Sequence, residues 1–229
     1  MSVPWLIISP HCDDGVFACG ELLASNPGCV VATVFAGTPS SCEPVTPWDR
    51  ACGFTHGDDV MASRREEDAR ALAVLRARPV WLPFLDSQYG SSPSVAEVAV
   101  ALQALIEREA PGRVVFPLGL FHSDHVLVRD AMLDLATSAS MPPPVVYVDA
   151  LYRRIPNAMD EQRREIARRG YALAPCRMRA CAHAAQLKRT AVECYRSQLR
   201  GLATPGRLGH LDAYEPEQYF DLKVNATIV

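Results

Sequence analysis

Residues 5–20 read Trp5-Leu-Ile-Ile-Ser-Pro-His11-Cys-Asp13-Asp14-Gly-Val-Phe-Ala-Cys-Gly20. The apolar run at 5–8 predicts a buried strand that stops at the following Ser-Pro pair. Apolar residues then resume at helical spacing, which predicts a helix beginning near Asp13 or Asp14. One imidazole and two carboxylates therefore lie within four consecutive residues, at the turn between a buried strand and a helix.

Two interpretations of this polar turn are open. Because burying unpaired ionisable groups is costly, a bound divalent cation would explain their presence. His11 and Asp14 are three residues apart and can reach one ion, and imidazole with carboxylate suits zinc. Asp13 would then be free to take a proton from water. Alternatively, Asp13 and Asp14 merely cap the helix and favour its positive N-terminus.

A second stretch repeats this arrangement about a hundred residues later. Residues 113–117 predict another buried strand, and His122, Asp124 and His125 follow it before a second helical pattern. In a parallel sheet the carboxyl ends of neighbouring strands lie side by side, and ligands bind outside them. Two turns that each carry His and Asp can therefore converge on one ion.

Both turns resemble motifs of the PIG-L/LmbE-like zinc-dependent N-acetyl-sugar deacetylases. The usual motifs read His-Pro-Asp-Asp-Glu and His-Pro-Asp-His, and here they stand as His11-Cys-Asp-Asp-Gly15 and His122-Ser-Asp-His125. Cys12 and Ser123 replace prolines, Gly15 replaces the glutamate, and Leu120 stands where an aromatic hydroxyl is often found. These departures bear on the substrate more than on the metal chemistry, and Cys12 is not expected to be a fourth ligand.

Carried over by position, the resemblance implies roles for eight residues. The zinc ligands, for one ion per subunit, would be His11, Asp14 and His125. The catalytic residues would be Asp13 as general base, His122 as electrophilic or acid group, and Asp124 as the orienter of His122. Sugar hydroxyls would be held by Arg64 and Asp86. The alternatives are that Arg64 pairs within its own helix and that Asp86 caps a turn.

The order of the remaining segments predicts an α/β fold. Strands are predicted at residues 5–8, 29–35, 80–82, 113–117 and 145–148, with helical patterns between them. Further helices are predicted at 161–169 and 182–200, and roughly the last thirty residues carry no clear pattern. The alternation predicts a doubly wound, mostly parallel, Rossmann-like sheet with helices on both faces. No linker divides residues 1–229, so a single domain is expected.

Composition excludes several classes of protein. The chain has 229 residues, 49% hydrophobic and 21% charged, which is typical of a globular protein with a sizeable core. Its net charge of -3 favours neither nucleic acid nor membrane as a partner. No apolar stretch approaches the roughly 20 residues of a membrane span. Eight cysteines without a Cys-x-x-Cys pair or a secretory signal predict a cytoplasmic protein.

Two segments carry open interpretations. Residues 153–200 hold 12 of the 23 Lys and Arg residues, which indicates a solvated helix face or a rim that attracts an anionic group. Residues 36–62 are rich in Gly, Pro, Ser and Thr, with a short helix expected only at 48–52. Because so long a loop in a compact domain is usually functional or disordered, it is predicted to be a wall or lid that substrate orders.

The sequence thus predicts a hydrolase that removes an N-acetyl group from an amino sugar or glycoconjugate. A nucleotide-binding protein would share the fold, but Gly-x-Gly-x-x-Gly is missing and carboxylates would repel a pyrophosphate. The remaining alternative is a non-catalytic, metal-dependent sugar-binding protein. Such a protein has no need of Asp13, so Asp13, His122 and Asp124 together favour the enzyme. A homo-oligomer is left open.

Overall fold

The computed structural model describes residues 3–40, 45–138 and 141–225. Within these ranges the chain forms seven β-strands and eight α-helices. The strands are β1 (Trp5–Ser9), β2 (Val30–Thr33), β3 (Arg78–Trp81), β4 (Arg113–Pro117), β5 (Pro144–Tyr147), β6 (Tyr171–Cys176) and β7 (Tyr219–Val224). The helices are α1 (Asp14–Ser25), α2 (Pro47–Cys52), α3 (Val60–Val74), α4 (Val95–Glu109), α5 (Ser123–Leu135), α6 (Ala158–Arg168), α7 (Ala184–Val192) and α8 (Arg196–Leu202).

The strands form one mixed sheet in the order β3-β2-β1-β4-β5-β7-β6. β1 to β5 are parallel, with Leu6 opposite both Val30 of β2 and Val114 of β4. Only β7 runs antiparallel to its neighbours β5 and β6. The prediction of a doubly wound, mostly parallel sheet is confirmed. Because the strand order reverses between β1 and β4, a crevice is expected at their carboxyl ends.

Both faces of the sheet are covered by apolar clusters. Leu6 and Ile8 contribute to one cluster, which includes Leu102 of α4 and Val128 of α5. Ile7 points to the opposite face and joins a second cluster with Phe17 of α1. This alternation explains why β1 is apolar at every position from 5 to 8, since each full burial of such a side chain contributes about 1.5–3 kcal/mol.

The antiparallel edge of the sheet, formed by β7 and β6, was not predicted from the sequence. β6 ends in Ala-Pro-Cys and lies at the sheet edge, where a proline is tolerated because no strand needs its N–H. β7 falls in the segment that had no clear pattern. The helix predicted over 182–200 was also wrong, because α7 and α8 are separated at residues 193–195. Tyr195 lies in this break, fully buried, and donates its hydroxyl to Asp68 at 2.8 Å.

The other predicted elements are close to those observed, with boundaries shifted by one to three residues at most ends. In the described part of the chain, no helix is both long and apolar enough to cross a membrane.

Candidate active site

The first polar turn joins β1 to α1 and is held by its own residues. The Ser9 hydroxyl donates to the His11 carbonyl and accepts the Gly15 N–H at 2.7 Å. A Cβ at position 15 would stand 3.1 Å from Ser9 Oγ and 3.1 Å from Val31 Cγ1. Glycine therefore leaves room for the serine hydroxyl, which gives a physical reason for Gly15 at this position.

Asp14 connects the two turns. Its Oδ2 accepts the His11 backbone N–H at 2.9 Å and lies 3.1 Å from His11 Nδ1. The same oxygen lies 3.1 Å from Nε2 of His125 in the second turn. Asp13 occupies the N-cap position of α1 but makes no side-chain capping bond. Asp13 therefore does not cap the helix through its side chain, and Asp14, in the first helical turn, also contacts the two imidazoles.

The second turn joins β4 to α5 and is held from outside, by Asp149. Oδ2 of Asp149 accepts the N–H groups of Gly119 and Leu120 at 3.0 and 3.1 Å. Its Oδ1 lies 2.5 Å from His125 Nδ1. Asp149 fixes both the backbone of the turn and the orientation of the His125 ring, a role that carboxylates commonly have behind metal-binding histidines. Asp149 was not predicted from the sequence as a functional residue, although it follows the fifth predicted strand at the same sheet edge.

Among the described residues, His11, Asp14 and His125 form one group whose ligand atoms lie within 4.8 Å of one another. His125 Nε2 is buried and has no hydrogen-bond partner, although Asp14 is near. An unpartnered ring nitrogen, a second imidazole and a carboxylate oxygen fit a divalent cation. Cys12 lies outside this group.

A second candidate group combines His11, His122 and Asp124. Asp124 Oδ2 lies 3.0 Å from His11 Nε2, 3.9 Å from His122 Nδ1, and accepts the Ser87 N–H at 3.2 Å. The ring of His122 is held instead by the Asp124 backbone N–H, which donates to Nδ1 at 3.2 Å. The Asp124 carboxylate is thus nearer to His11 than to His122, the residue it was expected to orient.

Burial and neighbouring charges separate the protonation states of these groups. Burial and the adjacent Asp14 raise the pKa of Asp13 to about 7. Burial opposes ionisation of Asp14, but the His125 and His11 imidazoles hold its pKa well below the usual carboxyl range. Burial and the two neighbouring imidazoles lower the pKa of His122 to about 4. Asp14 is therefore an anion, and His122 is neutral at pH 7.

The two residues expected to bind sugar both line the same cavity as His11 and Asp13. Arg64 is buried and pairs with Asp49 of α2 at 2.8 Å, so its partner lies outside its own helix. Its Nε has no hydrogen-bond partner. Asp86 does cap a short turn, accepting the Gln88 N–H at 3.0 Å, and its Oδ2 lies 3.8 Å from His11 Nε2. The sugar-binding roles of both remain predictions.

Comparison with known proteins identifies the family. The family model described as PIG-L, GlcNAc-PI de-N-acetylase, matches residues 6–136, more than half of the chain. The chain belongs to the PIG-L family. The predictions of family and of an amide-cleaving hydrolase are confirmed. No curated protein matches the sequence significantly.

Several solved structures resemble the whole chain. The A40926 pseudoaglycone deacetylase is 25% identical, covers 100% of both chains and has a TM-score of 0.79. A triple mutant of a deacetylase from the teicoplanin biosynthetic pathway is 27% identical over 98% of this chain and 100% of its own, with a TM-score of 0.79. The zinc-inhibited form of a teicoplanin deacetylase shares the fold at 23% identity, with the same coverage and a TM-score of 0.80.

In this PIG-L chain the cavity above the two turns has a volume of about 590 Å³. Its apolar lining includes Phe35, Trp48, Met61, Phe121, Tyr152 and Ile155. Trp48 and Met61 come from the 36–62 segment, so this segment forms part of the wall; residues 41–44 lie outside the described residues. Whether substrate orders this wall stays a prediction.

Two further features lie near the cavity of this PIG-L chain. Leu120 is fully buried, while the ring of Tyr152, which was not singled out from the sequence, lies 5.2 Å from that of His125. Two arginines of α6 contact their own protein: Arg168 pairs with Glu165, and Arg163 stacks over Phe220 at 4.9 Å. These contacts favour the interpretation of α6 as a solvated helix face.

Proposed function

We propose that the chain is a zinc-dependent hydrolase that removes the N-acetyl group from an amino sugar carried on a larger conjugate. The observation that carries the proposal is the convergence of His11, Asp14 and His125, with Asp13 beside them in the same cavity. We further propose that residues 1–229 form one deacetylase domain, since a single sheet runs from β1 to β7.

The ligand set supports zinc as the cation. Two imidazoles and one carboxylate are a common catalytic zinc set, which leaves positions open for water and substrate. When bound, the ion acts as a Lewis acid that polarises the amide carbonyl and lowers the pKa of water to about 7. One of the structural relatives is described as zinc-inhibited, so zinc must be titrated rather than added in excess.

Asp13 is proposed as the general base. It lies in the cavity lining, is 6% exposed, and is absent from both candidate ligand groups. A carboxylate that is free of the metal can accept a proton from water as the water attacks the amide. Proton transfer by a positioned side chain typically contributes a factor of about 10²–10⁴.

His122 is proposed to act on the other side of the amide. Its ring is neutral at pH 7, lines the cavity and is held through Nδ1 by the Asp124 N–H. This arrangement leaves Nε2–H to donate a hydrogen bond to the developing oxyanion. The proton for the leaving amine would then be the one that Asp13 accepts from water. Asp124 is proposed to support both His11 and His122.

The substrate is proposed to be an N-acetylated sugar conjugate. The unpartnered Nε of Arg64 and the carboxylate of Asp86 provide a donor and an acceptor for sugar hydroxyls within the cavity. The volume of about 590 Å³ falls in the range of sites for drug-sized ligands. Two structural relatives are described as acting on A40926 pseudoaglycone and in teicoplanin biosynthesis, which makes glycopeptides one conjugate class to assay.

The decisive experiment measures acetate release from N-acetylglucosamine, its glycosides and N-acetylated glycopeptides, with zinc raised from zero to several equivalents. We expect release from at least one conjugate, maximal near one equivalent of zinc, and its loss in Asp13→Asn. Binding of a conjugate without release of acetate at any zinc level would instead favour the metal-dependent sugar-binding protein.

A further inference from the structure

Phe121 is an exposed aromatic residue in an unfavourable backbone conformation at the mouth of the site. Its side chain is 67% exposed and its φ is 61°. The His122 N–H donates to the Leu120 carbonyl at 2.6 Å, closing a three-residue turn around Phe121. Turns of this kind with a positive central φ are rare and strained, and a bulky residue there is an outlier. Neither burial nor conformational preference explains a phenylalanine at this position.

The turn that presents Phe121 is held firmly on both sides. Before it, the N–H groups of Gly119 and Leu120 donate to the buried carboxylate of Asp149. After it, His122 caps α5 by accepting the Asp124 N–H. Because the backbone is fixed on both sides, the exposed ring is presented in one position, which reduces the entropy lost when a ligand contacts it.

The ring belongs to an apolar wall of the active-site cavity. Its centroid lies 5.6 Å from that of Tyr152, whose ring contacts both His122 and His125. Ile155 follows in the same lining segment, hydrogen-bonded to Tyr152 through its backbone at 3.1 Å. The polar groups assigned to the reacting amide therefore adjoin an apolar surface that can contact an apolar part of the conjugate.

We propose that Phe121 is a specificity residue whose ring is a platform for an aromatic aglycone attached to the amino sugar. This inference rests on the proposed deacetylase function and adds a substrate class to it. The aglycone ring lies against Phe121 and Tyr152 while the N-acetyl group faces His11 and Asp13. Strain at a functional site is retained when it places a side chain where the ligand needs it.

The test compares the phenyl and methyl β-glycosides of N-acetylglucosamine, which differ only in the aglycone. Affinities are measured calorimetrically in an Asp13→Asn background, so that turnover does not interfere. We expect the phenyl glycoside to bind roughly 3- to 10-fold more tightly, the range of one aromatic contact. Phe121→Ala should abolish this preference, Phe121→Trp should keep it, and Leu211→Ala, an equally exposed residue outside the cavity, should leave it unchanged.

Thermal unfolding checks that the variants fold, and Phe121→Gly should be at least as stable as the parent because it relieves the backbone strain. Equal affinity for the two glycosides, or a preference that survives in Phe121→Ala, would overturn the inference. A preference that depends on Phe121 in a protein that releases no acetate would preserve the inference while refuting the deacetylase function.

Discussion

The two polar turns bear the same residue types at the same sheet edge, but different parts of the chain hold them. The first turn is stabilised from within, by the Ser9 hydroxyl and by the Asp14 carboxylate that accepts the His11 N–H. The second turn depends on Asp149, which lies beyond the next strand. The first half of the site is thus a local property of residues 9–15, whereas the second half is a property of the assembled sheet.

This difference predicts that substitutions behind the two turns have separable effects. Changes of residues that only support the first turn, such as Ser9, should act mainly on folding, because they remove hydrogen bonds within one segment. Changes behind the second turn should act mainly on the metal, because Asp149 contacts the ring of a proposed ligand. Asp149→Asn and Ser9→Ala test this separation directly.

The largest effect is expected for substitutions of the proposed zinc ligands, which lie where the two turns meet. His11→Ala and His125→Ala each remove one of three ligands, so both should lose most of the bound zinc and at least about 10³-fold of the activity. Elemental analysis per subunit, beside the wild type, measures the loss. Full zinc content in both variants would remove these residues from the ligand set.

The next largest effect is expected for Asp149, the residue that supports the second turn. Asp149→Asn keeps the size of the side chain and one oxygen for the Gly119 and Leu120 N–H groups, but replaces the acceptor beside His125 Nδ1. Zinc affinity should fall by about 10- to 100-fold, the usual effect of losing such a partner. Competition with a chelator measures it. Asp212→Asn, a buried carboxylate paired with Arg153 and Arg154, is the control and should bind zinc normally.

The corresponding change in the first turn is Ser9→Ala. It leaves the buried N–H of Gly15 without its acceptor, so the free energy of unfolding should fall by about 1–3 kcal/mol. Zinc affinity of the folded protein should change by less than about threefold, because Ser9 contacts no ligand side chain. Denaturant unfolding and chelator competition on one preparation supply both values. A large loss of zinc affinity at constant stability would contradict the proposed separation.

The smallest effect is expected for Asp68, which lies near the first turn. Its negative charge helps to raise the pKa of the Cys12 thiol in that turn. Burial raises the pKa of this carboxyl to about 7, although Trp81 and Tyr195 donate hydrogen bonds to it. A carboxyl with a raised folded-state pKa stabilises the fold while protonated, and this contribution is lost as pH rises from about 4 to 7. Between pH 6 and 8, wild-type stability should fall by about 1–2 kcal/mol relative to Asp68→Asn. If the stabilities of the wild type and of Asp68→Asn change in the same way with pH, the raised pKa of Asp68 is excluded.

The contrast between the turns also explains what the sequence could predict. Of the five parallel strands, β1, β2, β4 and β5 are mainly buried apolar runs. The His and Asp residues follow β1 and β4 directly, so their convergence could be inferred. β6 and β7 were not predicted because an edge strand with a proline and a strand with an exposed C-terminal end have weak patterns. Asp149 and Tyr152 were missed because their roles arise only when β5 lies beside β4.

We propose different tasks for two adjacent carboxylates, with Asp14 as a metal ligand and Asp13 as a general base. The most direct test measures zinc content and acetate release together in Asp13→Asn and Asp14→Asn. Asp14→Asn should lose zinc and with it activity. Asp13→Asn should retain about one zinc per subunit and bind substrate normally, while its hydrolysis rate falls by about 10²–10⁴-fold. Near wild-type turnover by a zinc-loaded Asp13→Asn variant would contradict the account.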